Sequence, residues 1–164
     1  MNLISEYDIT FLSETWISKN TFLNLNVNDY CGEHILGNKS YNTRKGRYSG
    51  GISVYYRNHL RKYVTIVEKN QYGVIWIKLS KELFSFNEDV YVCNIYIPPI
   101  NSKVIPNDQF DFFEELETGI EKYASLGKLF LTGDLKVARA RGVQFIINRT
   151  VFRNINCNYQ LKHK

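Results

Sequence analysis

"NDQFDFFEELETGIEKYASLGKLFLTGD", residues 107–134, changes periodicity within a single stretch. Phe110, Phe113, Leu116, Ile120 and Tyr123 recur every three or four residues, which is one apolar stripe of a helix. Asp108, Asp111, Glu114 and Glu115 crowd its first half, where the helix dipole favours negative charge. The spacing predicts a helix over 107–127, capped by Asn107 after Pro106 and stopped by Gly127. An apolar strand over 128–132 follows at once and delivers Asp134 at its C-terminal edge. A helix that feeds directly into a strand, behind a series of strands, implies an α/β sandwich.

The upstream strands are read from β-branched and aromatic runs. "DITFLSET" (8–15) reads as a buried strand with a polar end, and Asn-rich 17–30 as a loop. "GISVYYRN" (51–58), "KYVTIVE" (62–68), "GVIWIKLS" (73–80) and "DVYVCNIYI" (89–97) are four more strands. Their hairpin-like spacing predicts a largely antiparallel meander, with Trp76 and Tyr91 at half-buried positions and Cys93 buried.

With 164 residues, 44% hydrophobic and 23% charged, the chain has the balance of one globular domain rather than a disordered segment. No stretch approaches the roughly 20 apolar residues of a membrane span. The N-terminus, with acids inside its apolar stretch and no basic start, does not read as a signal peptide. Cys31, Cys93 and Cys157 are three widely spaced cysteines without a C-x-x-C pair. They predict reduced thiols, no disulfide partner and no zinc site, and hence a cytoplasmic or nuclear protein.

Net charge is +5, unevenly distributed. Residues 135–164 carry seven Lys and Arg and no acid, leaving 14 basic against 16 acidic residues before them. A basic tail can follow phosphates, and it can equally be a sequence end under little constraint. Residues 41–51 interleave Arg44, Lys45 and Arg47 with Tyr41 and Tyr48. They form either a weak nucleic-acid contact or, the preferred reading, a solvated turn closed by glycine. His34, His59 and His163 lie in no motif and receive no catalytic role.

Three strand ends carry groups suited to phosphate chemistry: Glu14 in "LSET", Tyr96 in "NIYIPP" and Asp134 in "LTGD". If they share an exit edge, two carboxylates suit Mg²⁺, and a tyrosine hydroxyl suits a phosphate oxygen. Each taken alone is ordinary: acids at strand ends are commonly solvated, and a Tyr in a strand is usually core.

Taken in order, "DITFLSETW", "GRYSGGISVYYRN", "VYVCNIYIPP", the acidic aromatic helix and "LFLTGD" resemble the endonuclease/exonuclease/phosphatase superfamily. Within it they are most similar to the apurinic-type endonuclease domain of non-LTR (LINE-like) retrotransposons. The resemblance runs from about residue 5 to 134 and implies a four-layer α/β sandwich, two mixed sheets face to face with helices outside. It implies Glu14 as a metal ligand, Tyr96 facing the scissile phosphate and Asp134 activating water. Gly50-Gly51 corresponds to the family's paired glycines. Mg²⁺ is the implied cofactor and DNA the implied partner.

The sequence also departs from the pattern. The strand that carries the family's upstream Asn has no counterpart before "DITFLSE", Lys136 stands where the family has the Asn of G-D-x-N, and no S-D-H signature follows. The expectation is therefore an incomplete core over 1–134 and a basic, weakly family-like segment over 135–164. It would be a remnant of a Mg²⁺-dependent DNA endonuclease without activity of its own. A non-catalytic nucleic-acid-binding remnant is the alternative. A phosphoinositide or sphingomyelin phosphodiesterase of the same fold is a third reading, disfavoured by the wording of "LSETW" and "NIYIPP".

Overall fold

The computed structural model describes residues 6–19, 28–39, 48–98 and 111–134. Two sheets dominate it. The first joins β1 (Ile9–Ser13), β5 (Ile52–Arg57) and β2 (Tyr30–Ile35) in the order β1-β5-β2, all antiparallel. The second joins β6 (Val64–Lys69), β7 (Val74–Leu79), β8 (Asp89–Tyr96) and β9 (Gly127–Asp134) in chain order. A two-stranded ladder of β3 (Asn38–Lys39) and β4 (Tyr48–Ser49) lies between β2 and β5 in sequence.

β6, β7 and β8 are antiparallel, whereas β9 runs parallel to β8. A parallel neighbour cannot be reached by a tight turn. The connection from β8 to β9 contains helix α2 (Phe112–Ala124), which follows the short α1 (Lys81–Phe84) in the chain.

The sheets pack face to face. Ile9, Ile52 and Val54 of the first meet Ile75, Ile77, Val90 and Val92 of the second in one buried cluster. The alternate residues of β7 and β8, Val74, Trp76, Tyr91, Cys93 and Ile95, meet Phe112, Leu116 and Tyr123 of α2 in another. β8 is thus covered on both sides, which is why its sequence is nearly continuously apolar. Three layers result among the described residues: three-stranded sheet, four-stranded sheet, helix.

Several expectations are corrected. The strand at 51–58 does not join the meander. It pairs with β1 and β2, and the 3₁₀ segment Asn58–Tyr63 carries the chain across to the other sheet. Only the four-stranded sheet is mixed; the three-stranded one is antiparallel among the described residues. β2, inside "YCGEHI", was not anticipated. Trp76 and Tyr91 are buried rather than half-buried, because α2 covers their face. Asp111, not Asn107, caps α2: its carboxylate accepts from the Phe113 and Glu114 backbone N–H groups. Phe112 joins the buried stripe while Phe113 packs against it partly buried, and Ser125, not Gly127, ends the helix. Asn107 and Phe110 lie outside the described residues.

Candidate functional site

All the strand ends of interest lie at one end of the sandwich. β1 crosses β8 and β9, so its C-terminal edge lies over theirs. Tyr96 and Asp134 are register partners in the parallel pair, and the Ile97 N–H donates to the Asp134 carbonyl at 3.2 Å. The Tyr96 hydroxyl donates to Glu14 Oε1 at 3.1 Å, from one sheet to the other. Glu14, Tyr96 and Asp134 therefore converge.

Glycine and strained backbone hold this arrangement. Glu14 and Trp16 adopt positive φ, 54° and 52°. Non-glycine residues rarely do so, and a bulky one there is an outlier. The segment is held in place by the Thr15 and Trp16 N–H groups, which donate to the Gly51 and Gly50 carbonyls at 3.1 and 3.0 Å. Gly50 also lets the backbone approach the Tyr96 ring: a β-carbon there would lie 3.0 Å from the ring edge. On the far side, the Tyr96 N–H donates to the Gly73 carbonyl at 2.9 Å. Gly73 sits in the β6–β7 turn, where Asn70 Oδ1 accepts from the N–H groups of Tyr72, Gly73 and Val74.

Tyr96 is 7% exposed. Burial, then the Glu14 hydrogen bond and charge, then the Asp134 charge push its phenol up to about 12. At neutral pH it therefore keeps its proton and remains a donor. The cavity against its ring, lined by Gly50, Gly51, Gly73 and Pro98 among others, holds about 20 Å³. That is room for a water molecule, not for a base or a sugar.

Beneath the site lies a polar residue that the motifs did not single out. Asn94 is fully buried on the same face as Tyr96, two residues back. Its Nδ2 reaches the carbonyls of the Leu12–Ser53 register pair at 3.5 and 3.4 Å, both long for a hydrogen bond. Its Oδ1 is buried without a hydrogen-bond partner among the described residues. An Asn within the apolar run "VYVCNIYI" was the available signal.

Among the described residues, no group of three or more His, Cys, Asp or Glu is placed to hold a metal ion. Glu14 and Asp134 are two carboxylates at the sandwich end where Tyr96 lies. His34 faces away from the site, where its Nδ1 lies 2.8 Å from Ser53 Oγ and burial lowers its pKa. Cys31 and Cys93 are free thiols. No helix among the described residues is long and apolar enough to cross a membrane. Arg44, Lys45, Arg47, Lys136 and the basic segment 135–164 lie outside the described residues.

Compared with protein-family models, with curated proteins and with solved structures, the chain matches none.

Proposed function

We propose that this chain carries the half-site of an endonuclease/exonuclease/phosphatase-type domain of the non-LTR retrotransposon kind, descended from a Mg²⁺-dependent DNA-nicking enzyme and itself inactive. The observation that carries the reading is the meeting of Glu14, Tyr96 and Asp134 at one sandwich end, with the Tyr96 hydroxyl donating to Glu14 across the sheets. The four-layer sandwich belongs to the same proposal.

In this reading Glu14 would hold the metal, which when bound would neutralise charge on the phosphate and the leaving oxygen. Tyr96 would turn its single hydroxyl proton, donated to Glu14 in this structure, to a non-bridging phosphate oxygen as charge develops there. Its high pKa keeps the proton available throughout the neutral range. Asp134 orients the attacking water. Lys136 stands two residues after Asp134 in place of the family's Asn, and its ammonium would repel Mg²⁺ if it reached the metal position. Losing one positioned donor typically costs about 10²–10³ in rate, and this sequence departs from the family pattern at several.

The test has two arms. Supercoiled plasmid incubated with the chain and Mg²⁺ or Mn²⁺ is expected to show no nicking above background, also in Lys136→Asn. Metal-dependent nicking lost in both Glu14→Ala and Asp134→Ala would overturn the inactive assignment. In the second arm, Mn²⁺ is expected to broaden the NMR signals of Glu14 and Asp134 first. Broadening centred elsewhere would overturn the site itself.

A further inference from the structure

At Tyr96 the neighbouring strand β7 has run out. The last register pair of β7 and β8 is Val74 with Ile95, one residue short of the tyrosine. β9 still reaches that far on one side, where Asp134 is the partner of Tyr96. On the other side the turn between β6 and β7 takes over: the Gly73 carbonyl accepts the Tyr96 N–H at 2.9 Å. The same turn, through Gln71, Tyr72 and Gly73, walls the small cavity against the tyrosine ring. The placement of Tyr96 therefore depends on residues 70–73, which lie outside both strands.

Asn70 is what makes this turn rigid. Its Oδ1 accepts from the N–H groups of Tyr72, Gly73 and Val74 at 2.9, 3.1 and 3.2 Å, and its own N–H donates to the Val74 carbonyl at 3.0 Å. Its Nδ2 donates to Glu115 Oε1 of α2 at 3.2 Å. Both ends of one amide are in use: the oxygen closes the turn, and the nitrogen ties it to the helix on the other face of the sheet from the Tyr96 ring. An aspartate would close the turn as well, but it would set a second carboxylate against Glu115. Gly73 has φ +117°, and a β-carbon on it would lie 3.0 Å from the Tyr96 carbonyl oxygen, so the turn is seated hard against β8.

We propose that Asn70 is the positioning residue of the site: by fixing the 70–73 turn to α2 it sets the backbone of Tyr96, and so holds the hydroxyl within reach of Glu14 and of the phosphate it would meet. The phosphate rests on the phosphodiester reading above; the hold on Tyr96 does not. Asn70 touches neither metal nor phosphate in this role and acts through the Gly73 carbonyl. The hydroxyl stands a full ring length beyond the Tyr96 backbone, so a small tilt there is magnified at the oxygen. A misplacement of about 1 Å, caused far from the chemistry, can cost roughly 10²-fold in rate.

The full chain, without metal or DNA, is read by amide hydrogen exchange and by NMR titration of ring-labelled tyrosine. Asn70→Ala is expected to speed exchange of the Tyr96 N–H roughly 10- to 100-fold, and that of Val92 in mid-strand less than about threefold. Leu83→Ala, a core truncation at the opposite end of the sandwich, is expected to leave the ratio of those two rates unchanged. Asn70→Ala should also lower the Tyr96 titration, and no further than Glu14→Gln does. The two changes together should go no further than Glu14→Gln alone, because both act through one bond. Asn70→Asp keeps the oxygen that closes the turn and loses the donor to Glu115. With Glu115→Gln added, whose amide can donate in return, Tyr96 exchange is expected to come back to within about threefold of the wild type. This pair keeps the test open if Asn70→Ala does not fold. Unchanged Tyr96 exchange in Asn70→Ala, additive titration shifts, or no recovery in the double variant would overturn the proposal. Metal-dependent nicking, or Mn²⁺ broadening centred elsewhere, would count against the phosphodiester reading and leave the role of Asn70 standing.

Discussion

The Tyr96 hydroxyl donates to Glu14 Oε1 at 3.1 Å, joining the end of β8 to the residue that follows β1 of the other sheet, 82 positions away. The bond therefore measures how the two sheets are set against each other at the site, which neither strand can fix alone. β1 and β8 contribute the two ends, and Asp134 reaches the same place through the parallel register of β9.

The first prediction concerns that phenol. Burial is the largest cause of its raised pKa, followed by the Glu14 hydrogen bond and charge and by the Asp134 charge. Because the folded value of about 12 lies above the ordinary 10, the folded state retains a proton that the unfolded state loses. The associated stability is fully present below pH 10 and is lost as pH rises through the folded value. In an NMR titration of ring-labelled tyrosine, Tyr96 is expected to titrate last among the resolved tyrosines. Glu14→Gln should lower it part of the way toward 10, since burial remains. No change in Glu14→Gln would mean that the bond does not form in solution.

Gly133 carries the second prediction. It has φ +121°, and a β-carbon there would overlap the carbonyl oxygen of its register partner, Ile95. Gly133→Ala should therefore cost at least about 3 kcal/mol, with the loss falling on the β8–β9 pairing that positions Asp134. Denaturant unfolding measures it. A cost under about 1 kcal/mol would show that the backbone relaxes easily at this position.

Where the sequence carried a strong period, it was legible. The runs 73–80 and 89–97, the acidic helix and the apolar strand into Asp134 gave β7, β8, α2 and β9 nearly in place. β2 was hidden because Cys31, Gly32, Glu33 and His34 offer neither alternation nor β-branching, and its pairing comes from β5. Hairpin spacing places strands near one another without saying which sheet each joins, and so 51–58 was assigned to the meander. Glu14, Tyr96 and Asp134 were found as strand-end groups. The exposure of Trp16 and the burial of Asn94 depend on the other sheet and on the Gly50-Gly51 backbone, which no local pattern encodes.

A third prediction follows from the contact between α2 and β6. Glu68 Oε2 accepts from Lys122 Nζ at 2.8 Å and from the Tyr123 hydroxyl at 2.9 Å. The Lys122 bond is the main cause that lowers the Glu68 pKa, with burial opposing it. A depressed carboxylate stabilises the fold above its ordinary pKa of 4.5, and that share is lost as pH falls through the lower, folded value. Glu68→Gln should flatten the acid limb of the stability profile below pH 4.5 and leave the alkaline limb alone. The effect should be modest and shrink with added salt, because Lys122 is exposed. An unchanged acid limb in Glu68→Gln would assign the acid sensitivity to Asp89, whose pKa is lowered mainly by the Lys81 N–H.

Asn94 gives the last prediction, in which stability and geometry part company. Its amide lies wholly between the sheets, its two donated bonds are stretched to 3.5 and 3.4 Å, and its Oδ1 has no partner among the described residues. A buried acceptor left unpaired costs about 1–3 kcal/mol, while long bonds return little. Replacing such a group by an apolar side chain of similar shape removes the penalty without opening a cavity. Asn94→Leu should therefore leave the thermal midpoint unchanged or raise it by a few degrees. The same change removes the Asn94 bonds that tie β8 to the Leu12–Ser53 pair, one residue behind the β1 terminus and two before Glu14. The sheets are then free to shift by a few tenths of an ångström, enough to lengthen the Tyr96–Glu14 bond. Tyr96 should titrate lower in Asn94→Leu than in the wild type, and Val92→Ala, a neighbouring core truncation, should lower stability without moving it. A fall of more than about 5 °C in Asn94→Leu, corresponding to roughly 1–3 kcal/mol, would show that the amide is a net stabilising contact instead.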